Sequence, residues 1–173
     1  MKETIKLGKY LFIICAVAGA TLAATNYFTT KKIASQKLEA ENDALKEVLP
    51  AAFCFEEKNN FPKNGFDEKN NIVGYVLKVI AAGYSGEISA LVGLDRNFRV
   101  TGVKILSQNE TPGLGSKISE KNFLSQFIGK FSEKVLLKKD GGEIDGITSA
   151  TISSRAITDA IRKNIDEFKK TVK

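Results

Sequence analysis

The chain has 173 residues with a formal charge of +6, and that excess is spread as lysines interleaved with glutamates; four arginines and no arginine–aromatic stripe argue against nucleic-acid binding. An apolar content of 43% supports one modest globular domain plus an accessory segment, which excludes wholesale disorder. The absence of histidine excludes a Ser-His-Asp triad and histidine-ligated haem or zinc, and the two cysteines, Cys15 and Cys54, form no CxxC pair, so any electrons handled here need an organic cofactor.

Tyr10 to Thr30 is a run of 21 residues without charge, bounded by Lys9 and Lys31. As a helix it measures roughly 31 Å, close to the hydrocarbon thickness of a bilayer. Tyr10, Tyr27 and Phe28 stand near its ends, where aromatic rings favour the interface, while Asn26 and the threonines weaken its second half. The run predicts a retained membrane anchor over 10–30; a cleaved signal peptide is the competing reading, because the strongly apolar stretch, Leu11 to Ala24, is short. Lys2, Lys6, Lys9 and the α-amino group outweigh Lys31, Lys32 and Lys37 by a small margin, which leans toward a cytoplasmic N-terminus over 1–9. Cys15 then lies in the membrane out of reach of Cys54, and no intramolecular disulfide is expected. Residues 31–50 are rich in helix formers up to Pro50, with Ala34, Leu38, Leu45 and Leu49 on one stripe, and read as a juxtamembrane helix or connector.

The remainder, 51–173, reads as the soluble domain. Residues 51–71 carry turn formers and read as irregular. IVGYVLKVIAA (72–82) is predicted as a strand, and GEISALVGLD (86–95) as a second with Ile88, Ala90, Val92 and Leu94 on one face. A turn at Asp95-Arg96-Asn97 leads into a third strand over 99–106, giving an antiparallel meander. The spacing of Ile118, Phe123, Phe127 and Phe131 predicts a helix over 117–131, VLL (135–137) is a short strand at best, and Ala156, Ile157, Ala160, Ile161, Ile165 and Phe168 line one face of a last amphipathic helix. The predicted class is α+β: an N-terminal transmembrane helix, then a mainly antiparallel sheet packed by helices.

Two stretches carry chemistry. DGITSATISS (145–154) gathers Thr148, Ser149, Thr151, Ser153 and Ser154 around the start of the last helix. One hydroxyl is explained as a helix cap worth about 1 kcal/mol. Five are not, and a helix N-terminus also suits a phosphate, so the residues alone leave cap and phosphate site open. In ETPGLGSK (110–117), Pro112-Gly113 reads as a turn, and Gly115 frees the backbone for close approach to something flat or anionic.

Asp145-Gly146-Ile147-Thr148-Ser149-Ala150-Thr151 resembles the flavinylation motif of the FMN-binding domains in Rnf and Na+-translocating NADH:quinone reductase complexes. In that family the threonine after the alanine carries FMN through a phosphoester, installed from FAD by a separate flavin transferase. The resemblance implies Thr151 as the modified residue, with Thr148, Ser149 and Ala150 around it and Asp145 and Gly146 in the sequence the transferase reads. Many members have glycine where this chain has Ser149. Glu110, Thr111, Pro112, Gly113, Leu114 and Gly115 resemble the family loop that lies against the isoalloxazine ring, and GYSGEI (83–88) is a weaker match. The resemblance implies an electron-relay subunit of an Rnf-type complex without turnover of its own. Its partners would be other membrane and iron–sulfur subunits, the transferase and membrane lipid, and its FMN domain would lie outside the cytoplasm. A counterpart in the quinone reductase, a non-redox membrane-anchored binding module and a secreted flavoprotein released by signal cleavage are the alternatives.

Overall fold

The structure is a computed structural model that describes residues 2–56 and 60–172, with the side chains of residues 2–5, 31, 34 and 37 outside that description. The expected roles of Lys2, Lys31, Ala34 and Lys37 therefore lie beyond the described side chains, as does the 57–59 part of the irregular stretch. The chain divides into two compact units, Met1–Ala40 and Glu41–Lys173.

Helix α1 runs from Lys2 to Val48, and its Lys6–Thr30 portion is long and apolar enough to cross a membrane. The threonines in this portion do not leave hydroxyls stranded. Thr21, Thr25, Thr29 and Thr30 donate to carbonyls four residues back, at 3.0, 2.9, 2.6 and 2.6 Å. Such back-bonding satisfies the hydroxyl inside the helix and makes threonine tolerable in an apolar span.

In the second unit, β1 (Cys54–Phe55), β2 (Lys63–Phe66), β3 (Ile72–Ala82), β4 (Glu87–Asp95) and β5 (Val100–Ser107) form one antiparallel sheet in chain order. The three expected strands are present. The stretch expected to be irregular adds β1 and β2, because Lys63, Asn64 and Gly65 pair with Val76, Tyr75 and Gly74 of β3, and a long-range ladder overrides their weak strand propensity.

Both faces of the sheet are covered. On one, Leu77, Val79 and Ala81 of β3 and Ile88, Ala90, Val92 and Leu94 of β4 meet Ile157, Ile161 and Ile165 of α3 (Thr151–Val172), with Ala156, Ala160 and Phe168 packed around them. The predicted amphipathic face of the last helix is the one buried. Tyr75, Phe98 and Phe168 close this core at one end, with ring centroids 5.1 to 6.0 Å apart. On the other face, Ala44, Leu45, Val48 and Leu49 pack on Val76 and Leu91. Leu45 and Leu49 of the expected stripe are thus core residues, whereas Leu38 is exposed. The end of α1 approaches the sheet backbone where Gly93 of β4 pairs with Gly102 of β5, and Thr101 Oγ1 donates to the Val48 carbonyl at 2.6 Å.

The expected helix over 117–131 is not continuous. It is broken into a 3-10 turn (Gly115–Ser119), α2 (Lys121–Leu124) and another 3-10 turn (Ser125–Phe127), with extended backbone at Glu120 and Ile128. The end of the stretch is set by a distant partner: Gly129 N–H donates to the Val100 carbonyl at 2.7 Å and Val100 N–H to the Lys130 carbonyl at 3.0 Å, which draws the chain out of helix to meet β5. Ile118, Phe123 and Phe127 are buried as the spacing implied, whereas Phe131 is at the surface with the Arg99 guanidinium 4.7 Å from its ring centre. VLL contributes a single parallel bridge, Leu137 to Ile144. Cys15 and Cys54 are both free.

Candidate functional site

Three segments remote in sequence converge. The β3–β4 turn, residues 83–86, is closed by Gly83 N–H donating to the Gly86 carbonyl at 2.8 Å, and it leaves Tyr84 71% exposed. The loop after β5 is organised by Thr111, whose carbonyl accepts from the amides of Leu114 and Ser116, both at 3.2 Å. Gly113 sits at φ +77° with open space where a side chain would stand, and its N–H donates to Ser116 Oγ at 2.9 Å. Thr111, Pro112, Gly113 and Leu114 are exposed, while Gly115 and Glu110 are buried.

The third segment leads into α3. Asp145 is held by Gln126, whose Oε1 accepts the Asp145 N–H at 2.7 Å, and by Lys138, whose Nζ stands 2.7 Å from Asp145 Oδ2. Gly146 follows at the surface, then Thr148 and Ser149, both exposed. Ser149 adopts φ +65°, a left-handed conformation in which glycine carries no steric penalty. The glycine that many members of the resembled family have here thus has a backbone reason. Ala150 is buried, Thr151 half-buried as the first residue of α3, and Ile152 exposed.

Among the described residues no hydroxyl caps α3. Ala150 stands at the capping position, its carbonyl accepting the first helical bond from Ser154 N–H at 3.0 Å. Ser154 Oγ instead accepts from Ile147 N–H at 3.1 Å and donates to the Ala150 carbonyl at 2.9 Å. The amides of Thr151, Ile152 and Ser153 are left without a side-chain acceptor. The hydroxyl cluster therefore does not supply the cap of this helix.

Glu110 links the three segments. Its Oε1 accepts from the Ser85 N–H at 3.0 Å, and its Oε2 accepts from the Ser153 hydroxyl in a short hydrogen bond. The family resemblance implied a ring-facing loop for Glu110, and nothing in the sequence signalled that Ser85 and Ser153 are its partners. The one available signal was a carboxylate opening a glycine loop. On α3, Arg155 grips Asp140 with two bonds of 2.9 and 3.1 Å, which hold its guanidinium above the ordinary pKa. Glu143 sits between Lys130 (2.7 Å) and Lys134 (3.0 Å) and is lowered from 4.5 to about 2, chiefly by the Lys130 hydrogen bond.

An FMN-binding domain model matches residues 83–166, which contain all three segments, and an RnfG N-terminal region model matches residues 1–48. The G subunit of the ion-translocating oxidoreductase complex of Methanosarcina acetivorans is 34% identical, with 95% of this chain and 94% of that one covered. The chain belongs to the RnfG family, the G subunits of ion-translocating oxidoreductase complexes. Other members are the G subunit of the Na(+)-translocating ferredoxin:NAD(+) oxidoreductase complex of Acetobacterium woodii, 35% identical over 96% of this chain and 92% of its own, and the proton-translocating counterpart of Clostridium ljungdahlii, 31% identical over 92% and 88%. The fold is shared with Shewanella oneidensis NqrC, with a TM-score of 0.50 at 18% identity, covering 68% of this chain and 67% of that one. As an RnfG family member with an apolar helix long enough for a bilayer, the chain is a membrane-associated component of a multi-subunit complex, and its FMN-binding domain serves electron transfer.

Proposed function

We propose that this RnfG family member relays electrons through FMN esterified to Thr151, as an Rnf-type ferredoxin:NAD+ oxidoreductase component whose FMN domain faces away from the cytoplasm. The observation that carries the reading is the start of α3: a half-buried Thr151 beside amides that no side chain among the described residues caps. Unpaired amides and the positive end of a helix dipole suit a phosphodiester. The exposed 111–114 loop, with open space at Gly113, offers the ring a neighbour, and Gly115 at its end lies against Ser153 of the first turn of α3.

Attachment follows from the transfer chemistry. A flavin transferase forms a bond between Thr151 Oγ1 and the FMN phosphorus of FAD; the pyrophosphate bond breaks, AMP leaves, and the hydroxyl proton is lost. Thr148, Ser149 and Ala150 set the approach to that hydroxyl, and Asp145 and Gly146 lie exposed where an enzyme can read them. FMN, once bound, supplies the redox chemistry, while this chain orients it and holds its phosphate. The N-terminal span anchors the protein in a single pass with residues 1–9 cytoplasmic, beside membrane and iron–sulfur subunits and lipid. Relatives named for Na+ and for protons match this chain at 35% and 31%, which fits an ion path lying in other subunits.

Co-expression with a flavin transferase tests the reading by intact mass. The full chain gains about 438 Da, the mass of FMN less water; Thr151→Ala gains nothing, and Thr151→Ser retains modification. An unmodified wild-type chain, or a modified Thr151→Ala, defeats the covalent reading.

A further inference from the structure

We infer that Glu110 is the positioning residue of the flavin site, an internal bolt that locks the 83–86 turn and the 110–115 loop onto the first turn of α3 and so sets where Thr151 presents its hydroxyl. The inference rests on the reading of Thr151 as the attachment point, but its supports are contacts within this chain.

Glu110 is 5% exposed, and its side chain points into the protein while the loop it begins faces out. Its backbone is held as well, its N–H donating to Gln108 Oε1 at 2.6 Å. No lysine or arginine among the described residues forms an ion pair with it. A buried carboxylate without a cation has to be solvated by hydrogen bonds and dipoles. Here Ser85 N–H and Ser153 O–H do so, and Ser153 is the third residue of α3, at the positive end of that helix. The partners lie 25 and 43 residues away, so one carboxylate joins three stretches that meet only on folding.

The glycines on either side exist for this carboxylate. A Cβ on Gly115 would lie 2.6 Å from Glu110 Oε2, 2.8 Å from Glu110 Cβ and 3.1 Å from Ser153 Oγ. A Cβ on Gly83 would meet Ile88 Cδ1 at 2.7 Å and Glu110 Oε1 more closely still. The anionic group for which Gly115 clears space is therefore the chain's own, and the outward part of the loop, 111–114, is what remains for a ligand. Thr151 precedes Ser153 by two residues in one helical turn, so releasing Ser153 frees that turn relative to the loop.

The test uses the full chain in detergent, with and without the transferase, in wild-type, Glu110→Ala, Glu110→Gln and Ser153→Ala forms. In Glu110→Ala the Ser85 amide exchanges hydrogen about 10-fold faster or more, the loss expected for one hydrogen bond to a charged group. Its attached FMN shows visible circular dichroism shifted toward that of free FMN, and the flavinylated fraction falls several-fold. Glu110→Gln, which keeps an acceptor for Ser85 and a polar partner for Ser153, restores most of all three signals. Ser153→Ala leaves the Ser85 amide protected but shifts the flavin dichroism. Wild-type exchange and dichroism in Glu110→Ala overturn the inference, as does a folded Glu110→Gln that rescues none of the three. If Glu110→Ala does not fold, the other two variants decide. If the wild-type chain takes up no FMN, the attachment reading fails, and amide exchange alone still judges the bolt.

Discussion

Replacing Gly93 with alanine probes how the last turns of α1 are seated on the sheet. The new Cβ would lie 2.6 Å from both Thr101 Oγ1 and the Val48 carbonyl carbon, and nearer still to the Val48 oxygen. Two of the three obstacles are backbone atoms, so the clash is relieved only by moving the helix end, an overpacking cost of about 1–3 kcal/mol. The shift also stretches the bond from Thr101 Oγ1 to the Val48 carbonyl, which contributes about 1 kcal/mol. Alanine in a strand recovers about 0.5–1 kcal/mol over glycine. The net destabilisation is about 1–3.5 kcal/mol, or roughly 4–14 °C at about 4 °C per kcal/mol for a domain of this size. Thermal unfolding of the full chain in detergent, followed by the near-ultraviolet dichroism of Tyr75 in its cluster with Phe98 and Phe168, reads the change. Gly86→Ala, whose Cβ would meet nothing nearer than 3.5 Å, serves as the neutral control. A Gly93→Ala chain that melts with the wild type refutes the seating.

Ser149→Gly should be neutral or stabilising by up to about 1 kcal/mol, since it relieves a left-handed serine, while Ser149→Val should cost about 1–2 kcal/mol; denaturant titration orders the three. Glu143 has a folded pKa of about 2 against an ordinary 4.5, so its contribution to stability is complete above about pH 4.5 and is lost as pH falls from there through about 2. Glu143→Gln should flatten that part of the acid-unfolding profile, and an unchanged slope would show that the Lys130 and Lys134 contacts do not persist in solution. A Cβ on Gly146 would meet nothing nearer than 3.7 Å, so Gly146→Ala should keep the wild-type melting point. If the transferase reads residues 145 and 146, flavin incorporation by the same variant drops, and full incorporation argues against that recognition.

The elements whose sequence carries their own periodicity were the legible ones. Strands β3 and β4 follow from alternation and β-branched residues, and α3 follows from its isoleucines at helical spacing. What failed to show locally was decided by distant partners. Lys63 to Phe66 becomes a strand only because β3 offers a free edge, and the 117–131 stretch breaks because Val100 takes hydrogen bonds from and gives them to residues 129 and 130. The site divides in the same way. The hydroxyl cluster and the glycine loop stand out as motifs, whereas the link of Ser85 and Ser153 to Glu110 has no sequence signature, because hydrogen bonds across 25 and 43 residues leave no local pattern.

The seating of Val48 over Gly93 and Gly102 bears on how a shorter version of this protein should be trimmed. Truncation at Pro50, just past the end of the helical leader, would remove Ala44, Leu45, Val48 and Leu49 and uncover Val76 and Leu91. The bare sheet would then present an apolar strip to solvent and to other copies of itself. A fragment starting at Glu41 discards the apolar Lys6–Thr30 portion yet keeps the lid that those residues make, and it is the shorter chain, not the longer, that would precipitate.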